Sequence, residues 1–278
     1  MEIRNILKKY NLSSSLNERE DQHFMEDEEV IAKMIEYGEI GESDTVLEIG
    51  SGIGNLTEKI AERAGKVYAI EKDDRLITIA QREANGRNID YINNDVLKID
   101  IPSFNKSISN LPYRRVEPIL EKISTIDFEK AVFTVPYKFA RKLNSDSYEG
   151  IFAERCNAYY NIEVMDEISK NSFYPSPRHK SNIIKMEPKE DFDFKEEKDL
   201  FVTKEMFQKY KRKKAKNAVI ESLKDLQERV NGERISNSKA RYIVSNFDIE
   251  EEELEKRVPQ LSSEDFKKLM DNIKSLDF

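Results

Sequence analysis

The sequence predicts an α/β protein, with a parallel-sheet domain covered on both faces and a small helical domain after it. Up to about residue 188, short β-branched and apolar segments alternate with segments of helical spacing, and such alternation requires crossover connections between parallel strands. Beyond Pro188 an acidic connector, KEDFDFKEEKDL, leads into helical spacing with few β-branched runs. A chain of 278 residues is long enough for two domains, and we place them at residues 1–189 and 190–278.

Each strand is predicted from a run of β-branched or apolar residues bounded by turn residues, and each helix from apolar residues that recur every three or four positions. The predicted strands are Thr45–Ile49, Lys66–Glu71, Ile89–Ile92, Lys106–Ser109, Ala131–Val135, Tyr160–Ile168 and Asn182–Met186. The predicted helices are Glu26–Tyr37, Leu56–Ala64, Arg75–Ala84, Val116–Ile123, Phe139–Leu143, Met206–Val230, Ser238–Ser245 and one led by Ser262.

The composition excludes several classes of protein. The single cysteine, Cys156, forms no internal disulfide, and with two histidines it cannot complete a Cys/His zinc cage. The charged first twenty residues do not resemble a signal peptide, and no run of about 18 apolar residues predicts a membrane span. We therefore expect a cytoplasmic protein, monomeric and without a metal or a membrane partner. A net charge of −8 excludes a uniformly basic surface, although local patches can still bind nucleic acid.

A glycine-rich turn, Glu48-Ile-Gly50-Ser-Gly52-Ile-Gly54, joins the first sheet strand to a helix. Glycines let a ligand lie against bare backbone, and the start of a helix offers unpaired amides. The turn could be purely structural, since many α/β proteins have one. Its third glycine comes one residue too early for the dinucleotide fingerprint, so the spacing disfavours a nicotinamide enzyme.

Two acids follow the next two strands. Glu71 ends one strand, where a carboxylate can accept both hydroxyl hydrogens of a ribose, and Asp95 follows the other, where it could meet an adenine amino group. Either acid alone could be a solvated residue at a strand end. With the glycine turn, the two acids predict an adenosine pocket at the carboxyl edge of the sheet.

The segment Asn110-Leu111-Pro112-Tyr113 directly follows the fourth strand. The amino group of a purine is a poor nucleophile, because its lone pair is delocalised into the ring. The Asn110 side-chain oxygen and the backbone oxygen of Leu111 or Pro112 could hold the two hydrogens and steer that lone pair. Tyr113 offers a flat face for a base removed from its stack. Alternatively, the segment is a strand-to-helix turn with a core tyrosine.

These motifs, with the early Asp21-Gln-His-Phe-Met25 and the later Phe173-Tyr-Pro-Ser-Pro-Arg-His-Lys-Ser181, resemble the KsgA-type ribosomal RNA adenine dimethyltransferases in order and spacing. The resemblance spans about residues 20 to 188. It implies a Rossmann-like methyltransferase domain, S-adenosylmethionine as cofactor, and dimethylation of two adjacent adenosines in small-subunit ribosomal RNA, so that the partner is the small ribosomal subunit or its precursor.

The resemblance also implies roles for individual residues. Asn110, Leu111, Pro112 and Tyr113 would form the catalytic segment, with Tyr113 and Phe173 on either side of a flipped adenine. The cofactor would be bound by His23, Met25, Gly50, Gly52, Glu71, Asp95, Val96 and Asn110.

The sequence departs from the family pattern at several positions. Asp21 stands where glycine is usual, Arg114 to Glu117 replace x-Ile-Ser-x, and Pro136 and Lys138 replace Gln and Glu. These differences motivate two alternatives: the same chemistry on large-subunit or other RNA, and a non-catalytic RNA-binding ribosome-assembly factor. A dehydrogenase is a more distant alternative.

Basic residues cluster at positions where an acidic protein could still bind RNA. Arg114 and Arg115 follow the target segment, and Lys211, Arg212, Lys213 and Lys214 form the densest cluster, which we predict on a helix of the second domain. These clusters could instead be solvated faces of ordinary helices.

Overall fold

The computed structural model describes residues 3–12, 22–86, 88–123, 126–143, 151–189, 193 and 196–277. The chain divides into two compact units, Met1–Asn144 with Ile162–Pro188 and Ser145–Asn161 with Lys189–Phe278. The second unit therefore takes in residues 145–161, which the sequence places in the first domain, and its main part begins at Lys189.

The first unit is built on a seven-stranded sheet, in the order β4-β3-β2-β5-β6-β9-β7. Its strands are β2 (Thr45–Ile49), β3 (Lys66–Glu71), β4 (Ile89–Asn93), β5 (Lys106–Asn110), β6 (Lys130–Pro136), β7 (Tyr160–Ile168) and β9 (Ser181–Pro188). All seven were predicted from the sequence, with bounds that differ by at most two residues.

The direction of the strands determines where a site can form. Strands β4, β3, β2, β5 and β6 pair in parallel, and β9 pairs with β6 in the antiparallel direction. The chain reverses its strand order between β2 and β5, which makes a crevice at the carboxyl ends of these strands. Serines of β5 reinforce this junction, since Ser109 Oγ accepts a hydrogen bond of 2.8 Å from Ile49 N.

Helices cover the sheet with apolar faces. They are α2 (Glu28–Tyr37), α3 (Asn55–Ala61), α4 (Asp74–Glu83), α5 (Val116–Ile123) and α6 (Tyr137–Leu143). Asp27 caps α2 through Oδ1, which accepts from Glu29 N and Val30 N. Buried Ile31, Met34, Val46, Ile60 and Ile108 belong to one core cluster between helices and sheet.

A small two-stranded sheet and an N-terminal helix complete the first unit. In the small sheet, β1 (Phe24–Met25) pairs with β8 (Phe173–Tyr174) in the antiparallel direction. Helix α1 (Ile3–Lys9), which the sequence did not predict, buries Ile3, Ile6 and Leu7 against a cluster that includes Phe24.

The second unit is helical. It contains α7 (Ile151–Tyr159), α8 (Lys198–Gln208), α9 (Ala215–Asn231), α10 (Asn237–Ser245), α11 (Glu251–Glu255) and α12 (Ser263–Lys274). Ser262 caps α12 as predicted, because its hydroxyl accepts from Asp265 N.

The prediction of one helix over Met206–Val230 is wrong. Helix α8 ends at Gln208, and α9 begins only at Ala215, so Lys211 to Lys214 lie in the connection and not on a helix face. A continuous helix would set like charges four residues apart, which is unfavourable. In the described part of the chain, no helix has the length and apolar character needed to cross a membrane.

Candidate active site

The glycine turn lies at the carboxyl end of β2, beside the crevice. Gly50, Gly52 and Gly54 have positive φ angles of 79°, 59° and 86°. Residues with a Cβ rarely adopt this backbone conformation. Gly50 N donates to Ile70 O at 2.8 Å, which ties the turn to β3. A Cβ on Gly52 would stand 2.8 Å from the Phe24 ring, so the turn excludes larger residues.

A pocket of about 850 Å³ opens over this turn and the ends of the neighbouring strands. Ten of the residues assigned to the site from the sequence line it: His23, Met25, Gly50, Gly52, Glu71, Asp95, Val96, Asn110, Pro112 and Arg115.

Glu71 is one of two acids that the sequence places in the pocket. It is 8% exposed, and its Oε2 and Oε1 accept from Gly52 N at 3.0 Å and Asp73 N at 2.9 Å. Burial raises the pKa of this carboxyl against the effect of the backbone donors. Glu71 lines the pocket, and a carboxylate can accept more hydrogen bonds than these backbone donors supply.

Asp95 is the second acid, and its surroundings differ. Its Oδ1 accepts from Leu97 N at 3.1 Å, and its Oδ2 pairs with Arg115 Nη1 at 3.1 Å. Burial raises the pKa of Asp95, but the hydrogen bonds from Leu97 and Arg115 outweigh it, so the pKa lies below its usual value. The sequence assigns Arg115 to the RNA, whereas the structure places this side chain in the wall of the pocket.

Asn110 is held at both ends of its side-chain amide. Nδ2 donates to His23 O at 2.8 Å, and Oδ1 accepts from the hydroxyl of Thr134. Thr134 is the cross-strand neighbour of Asn110 on β6. An amide oxygen has two lone pairs, so Oδ1 keeps one acceptor position and its direction is fixed by the threonine.

The sequence left open whether the backbone oxygen of Leu111 or that of Pro112 is the second acceptor, and the hydrogen bonds of the backbone distinguish the two. Pro112 O accepts from Arg115 N at 2.9 Å. Among the described residues, no hydrogen bond to Leu111 O is found. The Leu111 side chain is 1% exposed and anchors the turn in the core. Leu111 O therefore keeps its lone pairs, but Leu111 is not among the residues that line the pocket.

Gln22 to Glu26 form a strap along one side of the pocket, and each end of the strap is fixed. Gln22 Nε2 donates to Asp73 Oδ2 at 2.9 Å, and Glu26 N donates to Ser172 O at 2.9 Å. Between them, Met25 O accepts from Asn55 Nδ2 at 2.6 Å. Asp21, one of the departures from the family pattern, lies outside the described residues.

The two aromatic residues assigned to a flipped base lie in different surroundings. The half-buried Tyr113 contacts the Ser181 hydroxyl through its own, and its ring centre lies 6.1 Å from that of His23. Phe173 is 2% exposed and belongs to the core cluster. Pairing of β8 with β1 sets Phe173 opposite Met25, and both point into that core. Its role at the adenine stays a prediction.

Sequence reasoning gave no separate role to Glu48, which also lines the pocket. This side chain is 1% exposed, and Oε2 accepts from the Thr57 hydroxyl at 2.5 Å. Burial, with a contribution from the nearby Glu71 charge, raises the pKa of Glu48 to about 8. Its position directly before the glycine turn was the available signal.

The pocket also contains a polar atom that lacks a partner. The hydroxyl of Ser51, between Gly50 and Gly52, is buried and makes no hydrogen bond. Buried polar groups are normally paired. An orphaned hydroxyl, acids with remaining acceptor positions and a bare glycine turn fit a nucleoside-type ligand.

The remaining basic residues are distributed over both units. Arg114, next to the target turn, is exposed, as is Lys211 in the second unit. The exposed Lys214 pairs with Glu255 at 2.5 Å, and Lys213 Nζ lies over the Tyr210 ring at 4.8 Å. No carboxylate among the described residues pairs with Lys211, Arg212 or Lys213.

The chain is similar to known proteins in sequence and in fold. The family model described as "Ribosomal RNA adenine dimethylase" matches residues 13–249. A relative from Thermococcus sibiricus, "Probable ribosomal RNA small subunit methyltransferase A", is 38% identical over 265 residues, which are 94% of this chain and 93% of the relative.

Two solved structures have a similar fold. The crystal structure of a dimethyladenosine transferase from Plasmodium falciparum has a TM-score of 0.60 and 25% identity, and the match covers 88% of this chain and 95% of that one. The 23S rRNA methyltransferase ErmE has a TM-score of 0.57 and 20% identity over 91% of this chain and 100% of that one. The latter likeness concerns the fold alone.

Proposed function

The chain belongs to the ribosomal RNA adenine dimethylase family, and from this premise we propose that it transfers methyl groups from S-adenosylmethionine to the N6 amino groups of two adjacent adenosines in small-subunit ribosomal RNA during ribosome biogenesis. One observation carries the proposal. The turn after Asn110 opens onto the same pocket as Glu71 and Asp95, so that a target group and a nucleoside donor can meet there.

The donor would be held by residues that already face the pocket. We assign its ribose to Glu71 and its adenine to Asp95 and Val96, because carboxylates accept from hydroxyl and amino groups. His23, Met25 and the backbone of Gly50 and Gly52 would line the methionine part. When bound, the donor supplies an electrophilic methyl group on a positively charged sulfur, and the leaving group is a neutral thioether.

Asn110 and Leu111 would orient the target. Asn110 Oδ1 and Leu111 O each accept one hydrogen of the amino group, so the nitrogen lone pair points at the methyl carbon. Thr134 fixes the direction of Oδ1, and His23 O fixes the other end of the amide. Because the amine is neutral, no general base acts before transfer, and the proton leaves to solvent afterwards. Orientation therefore supplies the rate.

Aromatic and basic side chains would hold the RNA. Tyr113 follows the acceptor turn directly, and we assign its ring to stacking on the displaced base. Arg114 and the exposed cations Lys211, Arg212 and Lys213 would contact phosphates, with Lys214 beside them. We also propose that the protein acts as a monomer on the small subunit or its precursor.

One assay tests the proposal against its alternatives. Undermethylated small and large subunits are incubated with the protein and labelled S-adenosylmethionine, and the modified nucleosides are identified and mapped. We expect dimethyladenosine at two adjacent positions of small-subunit RNA. Label on large subunits alone would show that the substrate is large-subunit RNA, the alternative that the departures from the family pattern at Arg114 to Glu117 motivate. RNA binding without label would indicate a non-catalytic assembly factor.

A further inference from the structure

Arg115 turns back from the target segment into the pocket wall. Its backbone nitrogen closes a turn onto Pro112 O at 2.9 Å, and its side chain reaches Asp95, with Nη1 3.1 Å from Oδ2. Side-chain exposure is 34% for Arg115 and 17% for Asp95. This ion pair is therefore partly shielded from water, and it connects the ends of β4 and β5.

The pairing leaves Asp95 able to accept further hydrogen bonds. Leu97 N occupies one position on Oδ1 and Arg115 one on Oδ2, whereas an ionised carboxylate offers about four positions. The charged groups that act on Asp95 are Arg115 and Lys98, and both, with Leu97 N, lower its pKa against the effect of burial. Asp95 is thus a pure acceptor over a wide pH range.

We propose that Arg115 is a positioning residue for the donor, which holds the Asp95 carboxylate in place to accept the amino group of the donor's adenine and thereby selects a 6-amino over a 6-oxo purine. A 6-oxo purine presents an acceptor at that position, and two facing acceptors leave both unpaired. The inference rests on the proposed function, because that function assigns Asp95 to the donor.

A direct RNA contact is the competing role for Arg115. Arg114 is the better candidate for that role, since it is exposed whereas Arg115 is half-buried and engaged with Asp95. The difference can be measured without RNA, because only a residue of the donor site affects binding of the donor by the isolated protein.

The test measures binding of S-adenosylhomocysteine and S-inosylhomocysteine by calorimetry to the full chain, for wild type, Arg115→Met and Arg115→Lys. At pH 7, we expect Arg115→Met to weaken S-adenosylhomocysteine binding about tenfold and to reduce the preference for it over the inosine analogue, because charge-assisted hydrogen bonds have roughly this value. Arg115→Lys should retain part of the affinity and part of the preference for S-adenosylhomocysteine. Thermal unfolding checks that each variant is folded.

The pH profile separates positioning from a structural role. Without Arg115 the pKa of Asp95 rises, so Arg115→Met should lose affinity at a higher pH than wild type as the solution is acidified. In an Asp95→Asn background, Arg115→Met should cause little further loss, since the two act through one interaction.

Three outcomes would overturn the inference. Arg115→Met could weaken S-adenosylhomocysteine binding equally with and without Asp95→Asn, leave the pH profile of binding unchanged, or weaken RNA binding alone. Failure of wild type to bind S-adenosylhomocysteine would instead contradict the proposed function itself.

Discussion

The two sides of the pocket use different chemistry to bind their groups. The donor side, at the ends of β3 and β4, presents the carboxylates Glu71 and Asp95, whereas the target side, at the end of β5, presents the amide of Asn110 and a peptide oxygen. A carboxylate accepts strong hydrogen bonds from hydroxyl and amino groups, while neutral acceptors orient an amine without adding charge. Under the proposed function, the donor side would determine the affinity for the donor, and the target side would determine the rate of transfer.

Removing the amide should break the target side alone. We expect Asn110→Ala to reduce single-turnover methyl transfer by about 10³-fold or more, because the lone pair is no longer directed at the methyl group. S-adenosylhomocysteine affinity should change less than about threefold, since the amide is assigned to the amine. An equal loss in both measurements would move Asn110 to the donor side.

The buried acid Glu48 should make stability depend on pH. Its pKa in the folded protein is about 8, above that of an unfolded glutamate, so the folded state holds the extra proton and stability falls as pH rises between about 5 and 8. Glu48→Gln should remove this loss, on the order of 5 kcal/mol, since the pKa rises from 4.5 to about 8 and one pKa unit is about 1.4 kcal/mol.

Denaturant unfolding of the two proteins at several pH values measures the Glu48 effect. The stability difference between Glu48→Gln and wild type should grow with pH, and parallel curves would show that Glu48 titrates normally in the folded chain.

Glu71→Ala should affect the donor side alone. We expect S-adenosylhomocysteine affinity to fall about 100-fold, the cost of losing hydrogen bonds to a charged acceptor. Glu71→Gln, which retains one acceptor oxygen, should lose less. At saturating donor, transfer by both variants should stay near wild type, and a large loss of rate there would contradict the separation of the two sides.

Thr134→Val tests the direction of the Asn110 oxygen. Valine has nearly the shape of threonine but lacks the hydroxyl that donates to Oδ1, so the amide gains rotational freedom. We expect about a tenfold lower single-turnover rate, comparable to one hydrogen bond, with donor affinity unchanged. An unaffected rate would mean that the His23 contact orients Asn110 by itself.

Neutralising Lys211, Arg212 and Lys213, which pair with no carboxylate among the described residues, should have the smallest effect of these changes. Glutamine at Lys211, Arg212 and Lys213 should weaken RNA binding and reduce the salt slope by up to about 2, since each phosphate contact contributes about 0.7 for single strands. Lys216→Gln, at a cation already paired with Glu251, provides the control. Equal slopes for both variants would remove this connection from the RNA interface.

Local patterns in the sequence were sufficient to locate the seven strands of the sheet, but not for their order or for the antiparallel direction of β9. Most of the strands are short β-branched or apolar runs with a turn at their end. The break between α8 and α9 was missed because residues 209–214 contain no proline or glycine to mark a helix end. Repulsion among the cations from Lys209 to Lys214 favours the connection.

The site was predictable as far as it depends on strand ends. The glycine turn and the two acids come at the ends of consecutive strands, and because these strands are parallel, their ends meet at one edge of the sheet. The bond from Thr134 to Asn110, the ion pair of Arg115 with Asp95 and the burial of Phe173 each depend on residues brought together from distant parts of the chain. No local pattern specifies such contacts.

Direct counting of dimethyladenosine tests the central claim most directly. Undermethylated small subunits are treated in parallel with wild type and Asn110→Ala at saturating S-adenosylmethionine, and the RNA nucleosides are quantified by mass spectrometry. We predict two dimethyladenosines per subunit, at adjacent positions, from the wild type and essentially none from the variant. Wild-type yield from Asn110→Ala would contradict the claim that this amide directs the amine.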